Sequence, residues 1–396
     1  MRHISTFLLL CAIAFTACQN DDSELEVLIQ QYNNNEEANI KDISFYYGTP
    51  DDDEQSITMP ANDSVENFSI GHTIHIAFHN NQVEVSQLPT GISCTANGAR
   101  LMITSQLENV QYIISGTSHN GQLAINSQYK YRLDLNNLTL ASTDGSAIYN
   151  INNKRMYLVL QRGTINTLVD GNTYTPIADH KMKGALYNRG DIIISGEGTL
   201  HVTGNAHNAI ATDDFFRLRA GCILFIEAKG NNGIKANDGI FINGSVTNIN
   251  LTANGGKGLN SEADILIEGG HTTIITNAQS SIASNDTTHC AAVKSDANII
   301  VEAGVLNLLC LGNNAKGMKS DAHTTINGGE VNIVTRGESL LSKPKAIKAN
   351  ADIYINAGNL YAYAAHAKPI DADGTIYIKS PYNKLINTTH LYHIKY

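Results

Sequence analysis

A nine-residue segment, which we call the box, recurs eight times in this chain. Its copies are LYNRGDIII (186–194), IATDDFFRL (210–218), IKANDGIFI (234–242), LNSEADILI (259–267), VKSDANIIV (293–301), MKSDAHTTI (318–326), IKANADIYI (347–355) and IDADGTIYI (370–378). Successive copies start 24, 24, 25, 34, 25, 29 and 23 residues apart. Self-similarity at such a period indicates a solenoid, in which each repeat is stable only because it packs against its neighbours.

The apolar residues of the box indicate strands. Box positions 1, 7 and 9 are mostly Ile, Leu or Val, and positions 7 and 9 have the spacing of one face of a β-strand. A second apolar strand follows a glycine in six repeats: Gly221, Gly244, Gly270, Gly304, Gly329 and Gly358. The pattern predicts an all-β chain with a right-handed parallel β-helix over residues 108–380, in which equivalent residues stack about 4.8 Å apart. The leucine-rich repeat motif is absent, and the period does not fit the short calcium-binding repeat.

Residues 1–17 predict export. Arg2 precedes an apolar run that is too short to span a bilayer. Phe15-Thr16-Ala17-Cys18 resembles a bacterial lipobox, which predicts lipidation of Cys18; an ordinary signal peptide is the alternative. Residues 19–22 resemble the acidic export signal of Bacteroidetes surface lipoproteins. We therefore expect a protein on the outside of the outer membrane, attached to it through the lipid alone.

The segments on either side of the β-helix are expected to tether and cap it. Residues 18–40 are polar and predict a tether. Residues 41–107 contain strand-like runs without the box and predict an N-terminal β cap, and residues 381–396 predict a cap at the other end. Two insertions, at 277–290 and 336–345, interrupt the period and are expected to form loops on one side, which in solenoids is often the binding side.

Charge and cysteine spacing exclude two classes of function. The net charge of −10 argues against a basic face for nucleic acid. The cysteines after Cys18 form no C-x-x-C pair, so the sequence predicts no zinc site. We expect a monomer.

Box position 4 predicts a column of polar side chains, which we call the acid column. Its members are Arg189, Asp213, Asn237, Glu262, Asp296, Asp321, Asn350 and Asp373. Carboxylates stacked at the coil spacing repel each other, so cations between them are favourable. Calcium prefers oxygen ligands, which makes the members from Asp213 to Asp321 candidate calcium ligands. Asp and Asn also bond turn amides, and this structural role is the alternative.

Box position 2 predicts a second column, the outer lysine column. Its basic members are Lys235, Lys294, Lys319 and Lys348. Position 2 follows a buried residue, so these side chains are expected to point outward beside the acids. Two interpretations remain open: a cationic stripe that binds a uronate chain, and a solvated lattice of lysines and acids.

Tyrosines are candidates for sugar stacking, and lysines beside acids are candidates for catalysis. The chain has no Trp, so Tyr must supply any ring that stacks on a sugar. Tyr361, Tyr354 and Tyr377 are the candidates, with Tyr361 favoured for binding; packing under the C-terminal tail is the alternative. Lysines beside acids could serve a lyase that uses calcium, but they occur repeatedly, whereas an active site is a unique constellation. The sequence therefore predicts no catalytic residue.

Several runs of sequence resemble a known family. They are YIISGTSHNGQLAINS (112–127), LDLNNLTLASTDGSAIY (133–149), GTINTLVDGNTY (163–174) and ALYNRGDIIISGEGTLHVTGNAHNAIATDD (185–214). Together with the boxes they resemble a bacterial family of carbohydrate-binding β-helix proteins over roughly residues 65–380. A clostridial member of that family binds acidic pectic polysaccharide and cellulose. The resemblance implies a fold like that of pectate lyases, bound calcium, and binding rather than cleavage.

One departure from the family pattern concerns calcium. The family often has Asp-Gly-Ile at the turn into the box, and this chain has Asn208, Asn232, Lys257 or Lys316 in place of that Asp. If those aspartates hold calcium in relatives, this chain binds fewer ions or none. The sequence as a whole predicts a surface lipoprotein that binds an acidic, pectin-like polysaccharide without cleaving it, with calcium as an expected cofactor. A polysaccharide lyase and a structural adhesin are the alternatives.

Overall fold

The box builds the first of three sheet faces. A computed structural model describes residues 40–51, 63–177, 180–283, 286–379, 384–387 and 390–395. Within them, eleven strands stack in parallel to form what we call the first face. They are Arg100–Ser105, Gln122–Ser127, Ile148–Asn150, Gly184–Asn188, Asn208–Thr212, Ile234–Ala236, Lys257–Ser261, Ala291–Ser295, Lys316–Ser320, Lys345–Ala349 and Ile370–Ala372. One strand per turn gives a β-solenoid of eleven coils.

Box positions 7 to 9 build the second face. Its strands are Met156–Leu160, Ile192–Gly196, Phe216–Leu218, Ile240–Ile242, Ile265–Ile267, Ile299–Val301, Thr324–Ile326, Ile353–Ile355 and Ile376–Ile378. The strands after the corner glycines build the third face. They are Ile165–Val169, Thr199–Gly204, Ile223–Ala228, Val246–Leu251, His271–Thr276, Val305–Cys310, Glu330–Thr335 and Asn359–Ala364. Tyr131–Ala141 pairs with strands of both faces, so the second and third faces belong to one sheet.

Glycines allow the corners between the faces. Gly270 and Gly304 separate the second face from the third with φ of +74° and +81°, a conformation that side chains with a Cβ rarely adopt. Within the first-face strand Lys316–Ser320, a Cβ on Gly317 would lie 2.5 Å from the carbonyl oxygen of Ala346 in the next coil. The corner and this close approach between coils therefore both need a residue without a side chain.

The prediction of an all-β solenoid is confirmed, and the apolar box positions form its core. Ile240, Ile265 and Ile299 are aligned in adjacent coils and are fully buried. The last coil differs, because Ile376 and Ile378 are only partly buried. Among the described residues no further strand of the second face follows to cover them.

The parallel stack begins before the boundary expected at residue 108. His72–His79 pairs in parallel with Val110–Ser118, so residues 41–107 already contribute a strand to the solenoid. The same region also covers the first strand edges of the solenoid. Gln82–Val85 pairs antiparallel with His72–His79, and Ile92–Asn97 pairs antiparallel with Arg100–Ser105. The 3₁₀-helix Val65–Asn67 lies nearby in the chain.

The other end and the first insertion contain antiparallel pairs. Leu391–Lys395 pairs antiparallel with Asn359–Ala364 and with Lys384–Asn387, so it occupies the open edge of the third face. Within the first insertion, Ser281–Ala283 and Asp286–Thr288 form an antiparallel pair. In the part of the chain that the structure describes, no helix is long and apolar enough to cross a membrane. The expected signal peptide and most of the expected tether lie outside the described residues.

Stacking of the core predicts the effect of a single truncation. Ile265→Ala should lower the free energy of unfolding by about 2–4 kcal/mol, because Ile265 is fully buried between coils and the truncation leaves a cavity. Leu266→Ala is the matched control, since Leu266 lies in the same strand but is only half-buried; it should cost about 1 kcal/mol or less. Urea unfolding measures both. Equal losses would contradict the assigned orientation of this strand.

Candidate functional site

The outer lysine column lies on the first face, as its box position predicts. Backbone pairing aligns Lys294 with Lys319 and Lys319 with Lys348 in three successive coils. Lys235 lies two coils earlier, separated from Lys294 by Asn260. Each of these lysines follows a buried apolar residue of the box, so its side chain is on the outer surface of the sheet.

These lysines are bound to the neighbouring acids. Lys235 Nζ lies 2.7 Å from a Glu262 carboxylate oxygen. Lys294 Nζ lies 2.5 Å from Asp296 and 2.6 Å from Asp321 in the next coil. The remaining pairs of the column are Lys319 with Asp321, at 3.4 Å, and Lys348 with Asp371 and Asp373. The outer lysine column and the acid column therefore form one cross-linked lattice.

The lattice changes the titration of one acid. Burial acts to raise the pKa of Asp321, but hydrogen bonding to Lys294 and the charges of Lys294 and Lys319 outweigh it and hold the pKa below its usual value. Asp321 also accepts a hydrogen bond from the Asn350 amide at 3.1 Å. This carboxylate is therefore fully engaged by protein groups.

The carboxylates of the acid column are bound by protein side chains. Asp213 accepts hydrogen bonds from Lys183 Nζ at 2.6 Å and from the Tyr187 hydroxyl at 2.8 Å. Glu262, Asp296 and Asp321 are paired with lysines, and Asn237 carries no charge. No group of three or more His, Cys, Asp or Glu side chains suited to a metal occurs among the described residues. Ammonium groups already supply the positive charge that calcium would bring to this column.

Tyr361 is not available for stacking on a sugar. It is 6% exposed, lies directly opposite His393 in the antiparallel strand pair with Leu391–Lys395, and packs edge-on against the His393 ring at 5.5 Å. Its hydroxyl accepts a hydrogen bond from the Lys41 backbone amide at 3.2 Å. The structure thus supports the packing alternative for this residue. Tyr354 and Tyr377 stack on each other at 5.0 Å, and Tyr377 remains 48% exposed.

Sequence reasoning missed a second row of lysines, which we call the inner lysine column. It consists of Lys257, Lys316 and Lys345, and pairing aligns it through Ala291. Each member lies two residues before box position 1. The sequence analysis interprets Lys257 and Lys316 only as departures from the family pattern. The recurrence of lysine at a fixed distance before box position 1 is the signal that predicts the column.

Lys316 is the most enclosed member of the inner lysine column. It is 6% exposed, and its Nζ lies 3.4 Å from His289 Nδ1 and 3.3 Å from the Ser342 hydroxyl, which the two insertions supply. Burial is the main cause that lowers its pKa to about 8, and the nearby charges of Lys319, Lys345 and Lys348 contribute to the same shift. Burial is also the main cause that lowers the pKa of Lys257. Neither has a salt bridge among the described residues, whereas Lys345 lies 3.7 Å from Asp371.

The first face has a different character in its earlier coils. There the outward positions carry Tyr149 and Tyr187, whose rings stack at 5.4 Å with an angle of 5°. Met182 and Ile177, from a further insertion, pack against them. The stacked tyrosines are covered by these apolar side chains, and the lysine columns of the later coils are the candidate binding surface.

The fold and this surface together define a β-solenoid protein whose repeated strands display charged columns. The chain belongs to the family of carbohydrate-binding domain-containing proteins, whose model matches residues 97–366, more than half of the chain. A carbohydrate-binding domain-containing protein of Acetivibrio thermocellus is 29% identical over 116 residues. That match covers 28% of this chain and 41% of the relative, so the chain spans less than half the length of the curated relative.

The chain is also similar to a solved structure. It is described as the polysaccharide lyase-like protein from C. thermocellum, in a gadolinium derivative. The two chains are 17% identical with a TM-score of 0.36, over 78% of this chain and 97% of the other.

The low pKa of Lys316 predicts a stability change that depends on pH. Below pH 8 this lysine is charged in both the folded and the unfolded state, and the folded state bears the cost of burial. Lys316→Met should therefore raise the free energy of unfolding at pH 7 by about 2 kcal/mol. The gain should shrink as pH rises from 8 towards 10.5, because the buried lysine of the wild type becomes neutral while the unfolded chain still binds the proton.

Urea unfolding of both proteins at pH 7 and pH 10 measures this difference. Lys319→Met is the matched control, because Lys319 lies in the same strand but is paired with Asp321. It should give no gain at either pH. A Lys316→Met protein that is no more stable than the wild type at pH 7 would show that the buried charge is compensated.

Proposed function

We propose that the protein binds an acidic, pectin-like polysaccharide along the first face of its last five coils, without cleaving it. The observation that carries this proposal is the presence of two adjacent lysine columns, aligned coil by coil, on a chain of net charge −10. A linear polyanion that lies along the solenoid axis meets lysines at the coil spacing of about 4.8 Å. The family supports carbohydrate as the class of ligand.

The balance of charge on this surface favours an anionic ligand. Over residues 257–373 the two columns supply six lysines: Lys257, Lys294, Lys316, Lys319, Lys345 and Lys348. Five acids are interleaved with them: Glu262, Asp296, Asp321, Asp371 and Asp373. Six positive and five negative charges leave a local balance of +1 on a strongly acidic protein. An anionic chain therefore meets less repulsion here than elsewhere on the molecule.

The repeated nature of the surface supports binding rather than catalysis. The same pair of lysine and acid recurs from Lys235 and Glu262 to Lys348 and Asp373. A catalytic centre needs one set of groups that differs from its surroundings, whereas an extended ligand is held by equivalent contacts along its length. The lysines fill the role of calcium at these positions, so binding by the columns does not require the ion.

Polygalacturonate provides the direct test. Changing Lys294, Lys319 and Lys348 together to Ala removes three charges and leaves Asp296 and Asp321 without their partners. Affinity for polygalacturonate should fall at least tenfold, and its dependence on salt should flatten. Calorimetry with increasing salt measures both, and far-ultraviolet circular dichroism checks the fold.

The control removes the same charge from another part of the surface. Lys130, Lys154 and Lys229 are outside the two lysine columns, and their joint change to Ala should alter the affinity less than twofold. Binding by the wild type should also survive chelation of calcium with EDTA. Equal effects of the two triple variants would refute the binding face, and release of unsaturated products that absorb in the ultraviolet would refute binding without cleavage.

We further propose that the protein is displayed on the cell surface through a lipid on Cys18. The lipobox-like segment 15–18 and the acidic residues that follow it support this proposal. Cys18→Ala should move the protein from the membrane fraction to the soluble fraction, because the lipid is the expected anchor. Immunoblots of fractionated cells measure the change, with Cys94→Ala as the control. Retention of the Cys18→Ala protein in the membrane fraction would contradict lipid anchoring.

A further inference from the structure

The second insertion exposes two adjacent leucines to water. Leu340 and Leu341 are 67% and 48% exposed, and they lie in the loop that follows the third-face strand Glu330–Thr335. Single exposed leucines are common on protein surfaces and need no explanation, whereas neighbouring ones form a patch that is a candidate for contact with another apolar surface. This loop takes no part in the proposed binding of polysaccharide by the first face.

The fold holds these leucines in place. The side-chain oxygen of Asn314, which is 2% exposed, accepts hydrogen bonds from three successive backbone amides, those of residues 340–342, at 2.8, 2.7 and 3.1 Å. The Asn314 amide in turn donates to the carbonyl oxygen of Glu338 at 2.9 Å. Because its backbone is already fixed, the loop loses little conformational freedom when the leucines bind another surface.

The charge around the two leucines is positive. The second insertion contains Arg336, Lys343 and Lys345 against a single glutamate. The charges of Lys343 and Lys368 contribute, after burial, to the lowered pKa of Lys345, so these three lysines are close together. Lys345 is buried and lies near Asp371, but Arg336, Lys343 and Lys368 are exposed. On a chain of net charge −10 this local excess of cations favours an anionic partner.

The N-terminal part of the chain joins the solenoid in the coil that carries this loop. Lys41, the first residue after the expected tether, donates hydrogen bonds from its ammonium group to Glu330 at 2.5 Å and to Asn332 at 2.6 Å. Both acceptors lie in the strand that leads into the loop. The Lys41 backbone amide also bonds the hydroxyl of Tyr361 in the next coil. A lipid on Cys18 is therefore tethered to the coil that displays the two leucines.

These observations favour a lipid bilayer as the partner of the loop. A protein partner needs a pocket that fits the two side chains, and leucine is under-represented among the residues that dominate protein interfaces. A bilayer accepts apolar side chains at its interface without a matching shape, and anionic headgroups attract the cations beside them. The tether also begins beside the loop, which keeps the loop close to any membrane that the lipid enters.

We propose that the second insertion is a membrane-contact loop, in which Leu340 and Leu341 enter the interface of an anionic lipid bilayer and Arg336, Lys343 and Lys368 bind its headgroups. The inference rests on the proposed display of the protein at a membrane and adds to it. It differs from the expectation that the lipid alone attaches the protein. A lipid at the end of a polar tether leaves the solenoid free to turn, whereas a second contact on the solenoid itself fixes its orientation.

Vesicle binding tests the leucines in the full chain with Cys18→Ala, to which no lipid can be attached. Co-sedimentation with vesicles that contain phosphatidylglycerol measures the affinity. Changing Leu340 and Leu341 together to Ser should weaken binding at least about fivefold, because the apolar contact is lost. The matched control changes Ile165 and Tyr129 together to Ser, since both are exposed but lie in other coils; the affinity should change less than about twofold.

The cations are tested in the same way. Lys343→Gln together with Lys368→Gln should weaken binding to the phosphatidylglycerol vesicles at least about threefold and reduce its dependence on salt. Lys130→Gln together with Lys229→Gln is the control, because these lysines are exposed elsewhere on the surface. Vesicles of phosphatidylcholine alone should bind the unaltered loop weakly. Equal binding to both kinds of vesicle would overturn the assignment to an anionic bilayer.

A fluorescent dye that responds to polarity detects insertion directly. It is attached to Leu340→Cys in a full chain whose Cys11, Cys18 and Cys94 are changed to Ala, so that the remaining cysteines are buried. Its emission should move to shorter wavelength when phosphatidylglycerol vesicles are added, whereas the same dye on Ile165→Cys should not respond. A dye at position 340 that stays in water while the protein sediments with the vesicles would overturn the proposal.

The remaining outcomes separate the loop from the lipid and from other partners. Absence of binding to phosphatidylglycerol vesicles, or equal losses for the two pairs of apolar variants, would overturn the loop. Unchanged vesicle binding with a loss of self-association in the leucine variant would assign the loop to a contact between copies of the chain and overturn the membrane contact. Fractionation of cells with Cys18→Ala reports the lipid separately, so failure of the anchor and failure of the loop are distinguishable.

Discussion

Parallel backbone hydrogen bonding between successive coils is the constraint on which the rest of this structure depends. Because each strand pairs in register with the equivalent strand of the next coil, residue 240 lies on 265 and residue 265 lies on 299. Every box position therefore becomes a column about 4.8 Å in spacing. In the interior the columns are apolar and form a continuous core. On the surface the same geometry places side chains of like charge next to each other in successive coils. This is unfavourable unless a side chain of opposite charge lies beside them.

The chain meets that electrostatic requirement with lysines. The acid column lies two residues beyond the outer lysine column, and Lys294 bridges Asp296 of its own coil and Asp321 of the next. Lys294 and Lys348 each screen two carboxylates that would otherwise repel each other. The lattice stabilises the stacking of coils modestly, because pairs that water reaches contribute little each. Its main effect is to offset the repulsion within a dense row of acids.

The periodic part of the sequence could be predicted, and the contacts made by its interruptions could not. Apolar spacing within the box was enough to predict the solenoid and the membership of the columns. For Tyr361 the sequence left sugar binding and packing under the C-terminal tail open; the residue is buried beside Leu391–Lys395, and the Lys41 amide, from the other end of the chain, reaches its hydroxyl. The enclosure of Lys316 likewise depends on His289 and Ser342, in insertions that follow no repeat. Local pattern carries no information about which distant segment will cover a given outward residue.

The inner lysine column determines the charge at the turn into the box. At the turn into the box this chain has Lys257 and Lys316. An aspartate at such a position suits a cation, which could then bridge the protein to an anionic sugar. A lysine provides the positive charge directly and no longer needs the ion. Because Lys316 is buried, its charge costs stability in the free protein. Under the proposed function, a carboxylate of the polysaccharide offsets that cost, so the burial of Lys316 favours an acidic ligand over a neutral one.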